Sequence, residues 1–288
     1  MLVDLALIAI GLCIFWRVKQ FIFRLVICVA LVVTVGTTIV RHSLSHSSGD
    51  APSAASHTRC QSLEVIGARG SRSNAADKNV SDRTLNSVVA TLKKNAPDGL
   101  AVHFTPIRYP AIPVAETNLK YPANYGNSIQ SGRETLSRTV SDSSSECLAL
   151  IGYSQGADVV AGSVLDTYGD GLNSADLDRV VAVAIVGDPR FKGGQQFGIN
   201  VGTFSTNNNG IWSSIGPKEK PREWPSRDAS FVRSYCAKGD WMCNFSPNNA
   251  EGCLVHGKTC AHSRYATTNK VNGKTYTTLM AEWILSRV

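Results

Sequence analysis

Residues 149–158 read ALIGYSQGAD and set Ser154 between glycines two positions to either side. GxSxG is the spacing of a serine nucleophile lifted on a sharp strand-to-helix turn, where glycines allow strand and helix to approach closely. By itself the pattern is weak, since a chain of this length contains it by chance in roughly one case in five to ten. A hydroxyl at its ordinary pKa is also a poor nucleophile, so a base must reach it and an acid must orient that base. Two histidines follow Ser154, His256 and His262, and the acid candidates include Asp188, Asp228 and Asp240. Asp240 lies in CAKGDWMC, where a bridge between Cys236 and Cys243 would hold it in a small rigid loop at a strand end, and it is preferred. Asp188, in VGDPRF, is the runner-up and reads equally well as a turn residue before Pro189. The backbone N–H of Gln155, at the start of a helix, is expected to point where an acyl oxyanion develops.

These residues need a scaffold, and the hydrophobic pattern supplies one. Apolar, β-branched runs at 63–67, 100–107, 147–152, 180–187 and 230–236 read as five buried strands. Helical patterns at 80–94, 127–140, 157–168 and 276–288 fall between or after them, the first with Leu85, Val88, Val89 and Leu92 on one face. Such alternation predicts an α/β fold with a mostly parallel sheet between helical layers. CLALIG runs into YSQG and then into a helix, the context GxSxG requires. The least regular stretches, 191–229 and 244–261, follow strands, where the loops of an open α/β sheet form its functional edge.

The N-terminus stands apart. Residues 1–16 and 21–40 are apolar with RVKQ between them, and the second stretch is about long enough to cross a bilayer. No small-x-small cleavage site follows closely, so 1–40 is expected to be a retained membrane anchor of one or two transmembrane segments, and 41–59 a flexible linker. Basic residues between and within the apolar stretches place the remainder outside the cell membrane; cleavage would make it a secreted protein instead. Residues 41–288 hold 26 basic and 21 acidic groups, a net +5 of the chain's formal +7. That excess is dispersed, with no basic run interleaved with aromatics, so nucleic acid is not an expected partner. Six cysteines lie outside the anchor, Cys60, Cys147, Cys236, Cys243, Cys253 and Cys260, and an even number in an exported domain points to disulfides over zinc, for which no CxxC pair exists. Six cysteines allow fifteen pairings.

Four stretches in order, CQSLEVIGARGS (60–71), GYSQGAD (152–158), CAKGDWMC (236–243) and HSRYAT (262–267), together resemble the cutinase family of serine esterases over nearly all of 60–288. The resemblance implies a minimal α/β-hydrolase fold, a three-layer sandwich, with Ser154 as nucleophile, Asp240 as acid and His262 as base. It implies Ser71, through its N–H and hydroxyl, and Gln155 as the oxyanion hole, and the pairings Cys60–Cys147 and Cys236–Cys243. Cys253–Cys260 is then the pair left over. Residues 206–229 resemble an insertion that partly covers the site. With the anchor, the chain resembles cell-envelope members from mycolate-producing actinobacteria, some of which act as lipases, phospholipases or thioesterases. The expected activity is hydrolysis of acyl esters or lipids through an acyl-enzyme, needing neither metal nor organic cofactor. Acyl transfer by the same triad is the alternative, and a non-catalytic envelope-binding module is a further one.

Overall fold

The computed structural model describes residues 60–71, 80–113, 121–165, 169, 171–195, 198–215, 221–254 and 260–288. The expected anchor, the linker and His256 lie outside the described residues. Among the described residues no helix is long and apolar enough to cross a membrane.

Six parallel strands form the central sheet: β1 (Ser62–Ala68), β2 (Ala101–Pro106), β3 (Cys147–Tyr153), β4 (Val180–Val186), β5 (Asn200–Gly202) and β6 (Val232–Cys236), in the order β2-β1-β3-β4-β6-β5. β4, VVAVAIV, is buried at every position, as a strand covered on both faces must be, whereas edge strand β2 is partly exposed along its length. Alternation splits each strand between two cores. Ile66, Leu148, Leu150, Val183 and Ile185 face one way, and Leu63, Val65, Ala149, Ile151, Ala182 and Ala184 the other.

Helix α1 (Arg83–Asn95) and the last helix, α7 (Tyr276–Leu285), cover one face; α2 (Tyr121–Asp142) and α3 (Gln155–Val164) cover the other. This is the expected three-layer sandwich. Short helices α4 (Ser174–Asp178), α5 (Ile211–Ile215) and α6 (Pro247–Leu254) and a small hairpin, β7 (Lys270–Val271) with β8 (Lys274–Thr275), complete the described elements. Leu85, Val88, Val89 and Leu92 form the buried face of α1, which Asp82 caps by accepting a hydrogen bond from Leu85 N–H.

The five-strand expectation is corrected to six. β5 has three residues, half-buried at the sheet edge, and so carries neither the length nor the apolar density that marks a strand in sequence. The helix expected at 127–140 extends back to Tyr121, because a proline at 122 is tolerated in a first turn whose N–H groups have no intrahelical partner. The strand expected at 230–236 begins at Val232, because Ser230 closes a 3-10 turn (Ser226–Ser230) ahead of it.

Cys60 bridges Cys147, Cys236 bridges Cys243 and Cys253 bridges Cys260, the three expected pairs, and such bonds fit a domain that matures in an oxidising, extracytoplasmic compartment. The first ties the approach to β1 to the start of neighbouring β3 across 87 positions of chain. By the chain-entropy relation a loop of that length gives about 4.6 kcal/mol. Replacing both cysteines with alanine is expected to lower unfolding free energy by about 2–5 kcal/mol in urea titration.

Candidate active site

The sheet reverses its winding between β1 and β3, and the predicted site residues gather beyond the carboxyl ends of the strands there, where open α/β sheets bind ligands. Arg69–Gly70–Ser71 follows β1, Ser154 follows β3, Gly187–Asp188 follows β4, and the Asp240 turn follows β6. Ser154 sits at φ 54° and ψ −120°, a backbone conformation that L-residues avoid and that costs about 1–3 kcal/mol. The packing around it over-determines this strain. Ser154 N–H donates to the Val186 carbonyl at 2.9 Å. A Cβ on Gly156 would lie 1.9 Å from the Ala68 carbonyl oxygen, so only glycine lets α3 start this close to β1.

Ser154 Oγ lies 2.8 Å from His262 Nε2. On the far side of the ring, Nδ1 lies 3.0 and 2.9 Å from the two oxygens of Asp240. The structure therefore brings together the three side chains expected to form a triad, from positions 154, 240 and 262. Asp240 is fully buried, and its charge is met by donors: Met242 N–H reaches Oδ1 at 2.7 Å and Tyr265 Oη donates to Oδ2. The Cys236–Cys243 bridge encloses this turn, which two backbone bonds at Asp240 close further, from its N–H to Ala237 O (3.0 Å) and from Asn244 N–H to its own carbonyl (2.8 Å).

His262 is held by more than Asp240. Tyr153, the residue before Ser154, stacks on the imidazole with centroids 5.0 Å apart, and its hydroxyl donates to the His262 carbonyl at 2.8 Å. Gly187, at φ 68°, leaves room for the ring; a Cβ there would come within 2.9 Å of His262 Cε1. Burial pushes the phenols of Tyr153 and Tyr265 well above the ordinary tyrosine range, and the Asp240 carboxylate adds to the rise at each. Both remain neutral donors across any working pH.

The oxyanion-hole candidates adjoin. Gln155 Nε2 donates to Ser71 Oγ at 3.3 Å, while Ser128 Oγ donates to Gln155 Oε1 at 2.8 Å and fixes the amide's orientation. Gln155 N–H, first in α3, has no intrahelical partner. A cleft of about 730 Å³ opens beside Ser71, with Ser81, Asp82, Arg83 and Asn86 in its wall.

Asp188, the runner-up acid, is turned to other work. Arg222 holds it through Nη1 at 2.7 Å and holds Asp158 through Nη2 at 2.5 Å, with all three side chains buried. Burial alone would lower the guanidinium pKa, yet the charges of Asp188 and Asp158 keep it above its usual value. This ion group pins Arg222 to the body of the domain. Trp224 lies in the core, Trp212 packs against Tyr125 with centroids 5.0 Å apart, and Trp241 is half-buried next to Asp240 in sequence. Asp228 sits beside Arg227 on the 3-10 turn before β6, with no contact to His262.

Sequence reasoning missed Tyr153, Tyr265, Gly187, Ser128 and Arg222. The two tyrosines stand inside GYSQG and HSRYAT and were within reach of it. Arg222 carries no local signal, because its partners lie 34 and 64 positions away.

A parallel sheet carrying a strained serine within hydrogen-bond reach of a carboxylate-bound histidine is the arrangement of an α/β hydrolase that works through a serine. The model of the family described as Cutinase matches residues 59–286, and the chain belongs to that family, as a serine carboxylic ester hydrolase. Among solved structures it is similar to the catalytic core domain of acetyl xylan esterase from Trichoderma reesei, at 22% identity over 80% of this chain and 100% of that one, with a TM-score of 0.50. An acetylxylan esterase solved at 0.90 Å resolution is similar at 22% identity, covering 79% and 99%, with a TM-score of 0.53. A cutinase-like protein from Cryptococcus sp. is similar at 18% identity, covering 80% and 96%, with a TM-score of 0.51. At these identities the likeness speaks for the fold. None of the curated proteins matches the chain.

Proposed function

We propose that the protein hydrolyses acyl esters through a covalent acyl-enzyme on Ser154, with His262 as general base, Asp240 as its orienting acid, and the N–H groups of Ser71 and Gln155 as oxyanion hole. The observation that carries this is the unbroken chain of contacts from Ser154 Oγ through His262 to the buried Asp240 carboxylate. Nε2 takes the hydroxyl proton as Oγ attacks the carbonyl carbon. The tetrahedral oxyanion meets the backbone donors, and the alkoxide leaves with the proton that His262 returns. Water then repeats the sequence on the acyl-enzyme and releases the acid.

The cleft beside Ser71 is lined mainly by polar residues, Arg69, Ser81, Asp82, Arg83 and Asn86 among them, which suits a hydrophilic alcohol half. Acetyl esters are the first substrates to try, as the names of the structural neighbours suggest. The apolar stretches at 1–16 and 21–40 support a domain anchored at the cell membrane and working outside it, on envelope esters or lipids. The test is covalent labelling: a fluorophosphonate is expected to add once, at Ser154, as read by peptide mass spectrometry, and p-nitrophenyl acetate is expected to give a burst equal to the enzyme concentration. Labelling elsewhere, or turnover that survives full labelling, refutes the reading.

A further inference from the structure

An oxyanion hole works only if its donors already point at the charge before it forms. α3 fixes Gln155 N–H. Ser71, in contrast, lies on a loop after β1, so something must aim its peptide. Ser71 N–H makes no hydrogen bond among the described residues. The peptides leading to it are clamped on their other sides. The Arg69 carbonyl accepts from Tyr109 Oη at 2.5 Å, and Gly70 N–H, in the same peptide unit, donates to Asp82 Oδ2 at 2.8 Å. In the next unit the Gly70 carbonyl accepts from Arg69 Nη1 at 3.1 Å. The chain has no cis peptide among the described residues, and a trans peptide is planar with C=O and N–H pointing opposite ways. Holding the Gly70 oxygen therefore aims Ser71 N–H in the other direction. The clamp stands beside the reacting atom, since a Cβ on Gly70 would lie 3.3 Å from Ser154 Cβ.

Asp82 joins this loop to a rigid element. Its second oxygen, Oδ1, accepts from Leu85 N–H at 2.9 Å and caps α1, so one carboxylate spans the first turn of a helix and the loop that bears Ser71. Burial raises its pKa, against the pull of hydrogen bonds from Gly70 and Leu85 and of the Arg69 charge. A cap alone does not need a charged group with two acceptors, because serine and asparagine cap as well as aspartate.

We infer that Asp82 and Arg69 are positioning residues of the oxyanion hole, holding the Gly70–Ser71 peptide so that Ser71 N–H faces the acyl carbonyl on Ser154. The inference rests on the acyl-enzyme reading above and adds the parts that preorganise it. Asp82→Ser separates the two duties of the carboxylate: the hydroxyl still caps α1, but its single short oxygen cannot also hold Gly70 N–H. The expected result is a loss of about 10- to 100-fold in kcat for p-nitrophenyl acetate with KM within about twofold, below the roughly 10²- to 10³-fold of losing an oxyanion donor outright, because the donor is misaimed and not removed. Affinity for a trifluoromethyl ketone, which forms the tetrahedral adduct, is expected to fall in parallel, while thermal unfolding stays close to that of the parent protein. Asp82→Asn, close to isosteric, is the second variant should the serine variant not fold. It keeps one acceptor oxygen and turns an N–H₂ toward the other donor, and at least a fivefold loss of kcat is expected. Unchanged kcat and ketone affinity in either folded variant would overturn the inference and leave Asp82 a helix cap. Failure of fluorophosphonate to label Ser154 in the parent protein would instead sink the acyl-enzyme reading itself.

Discussion

Ser154→Ala is expected to lower kcat for p-nitrophenyl acetate by about 10⁴- to 10⁶-fold while leaving the domain folded. The substitution removes the atom that forms the acyl bond and leaves His262 facing Asp240, with the Ser71 and Gln155 donors in place, so residual turnover is water attack in a polarised site. The same geometry predicts that adding His262→Ala to Ser154→Ala changes little, because base and nucleophile act as a unit and the first loss already disables the second group. The backbone supplies an independent check. Alanine at φ 54° and ψ −120° keeps the strain of the turn, whereas glycine relieves it. Ser154→Gly is therefore expected to be as inactive as Ser154→Ala and to unfold at a higher temperature. Turnover of Ser154→Ala within tenfold of the parent protein would remove Ser154 from the chemistry.

Legibility in the sequence followed the range of the signal. β3, the turn and α3 lie within one stretch, CLALIGYSQGADVVAGSV, whose apolar run, glycines and helix start are all local, so strand, elbow and helix were read together. Asp240 was singled out through its bracketing cysteines, and His262 through the family resemblance, since a lone His followed by SRYAT has no periodic context. What escaped was either too short or too distant. β5 is three residues long, and the Asp158–Arg222–Asp188 group is assembled from three separate elements. Asp82 illustrates a middle case. It fell inside the helix expected at 80–94, whereas the helix begins at Arg83 with Asp82 as its cap, and its bond to Gly70 depends on β1 and α1 meeting in space.

Asp240→Asn is expected to cost about 10³- to 10⁴-fold in kcat at neutral pH with the fold intact. The carboxylate accepts from three sides, His262 Nδ1, Met242 N–H and Tyr265 Oη, and an amide can accept at its oxygen only. If the N–H₂ turns to His262, Nδ1 must become the acceptor, the ring proton moves to Nε2, and the nitrogen facing Ser154 can no longer take a proton. If the oxygen faces His262 instead, the imidazolium formed during attack loses its counter-charge in a site where Asp240 is fully buried. Tyr265→Phe separates charge from hydrogen bonding. It removes one donor and leaves the carboxylate in place, so a loss of about 10- to 100-fold is expected, the scale of a hydrogen bond to a charged group. Because burial and the Asp240 charge hold the Tyr265 phenol well above its ordinary pKa, it donates throughout the assay range. The ratio of parent to Tyr265→Phe kcat/KM should therefore be flat from pH 7 to about 10, near the free phenol's own pKa. A ratio that falls toward one across that interval would mean the phenol ionises there and does not hold Asp240. An Asp240→Asn enzyme within tenfold of the parent would show that the imidazole is oriented without its carboxylate, by Tyr153 and the space at Gly187 alone.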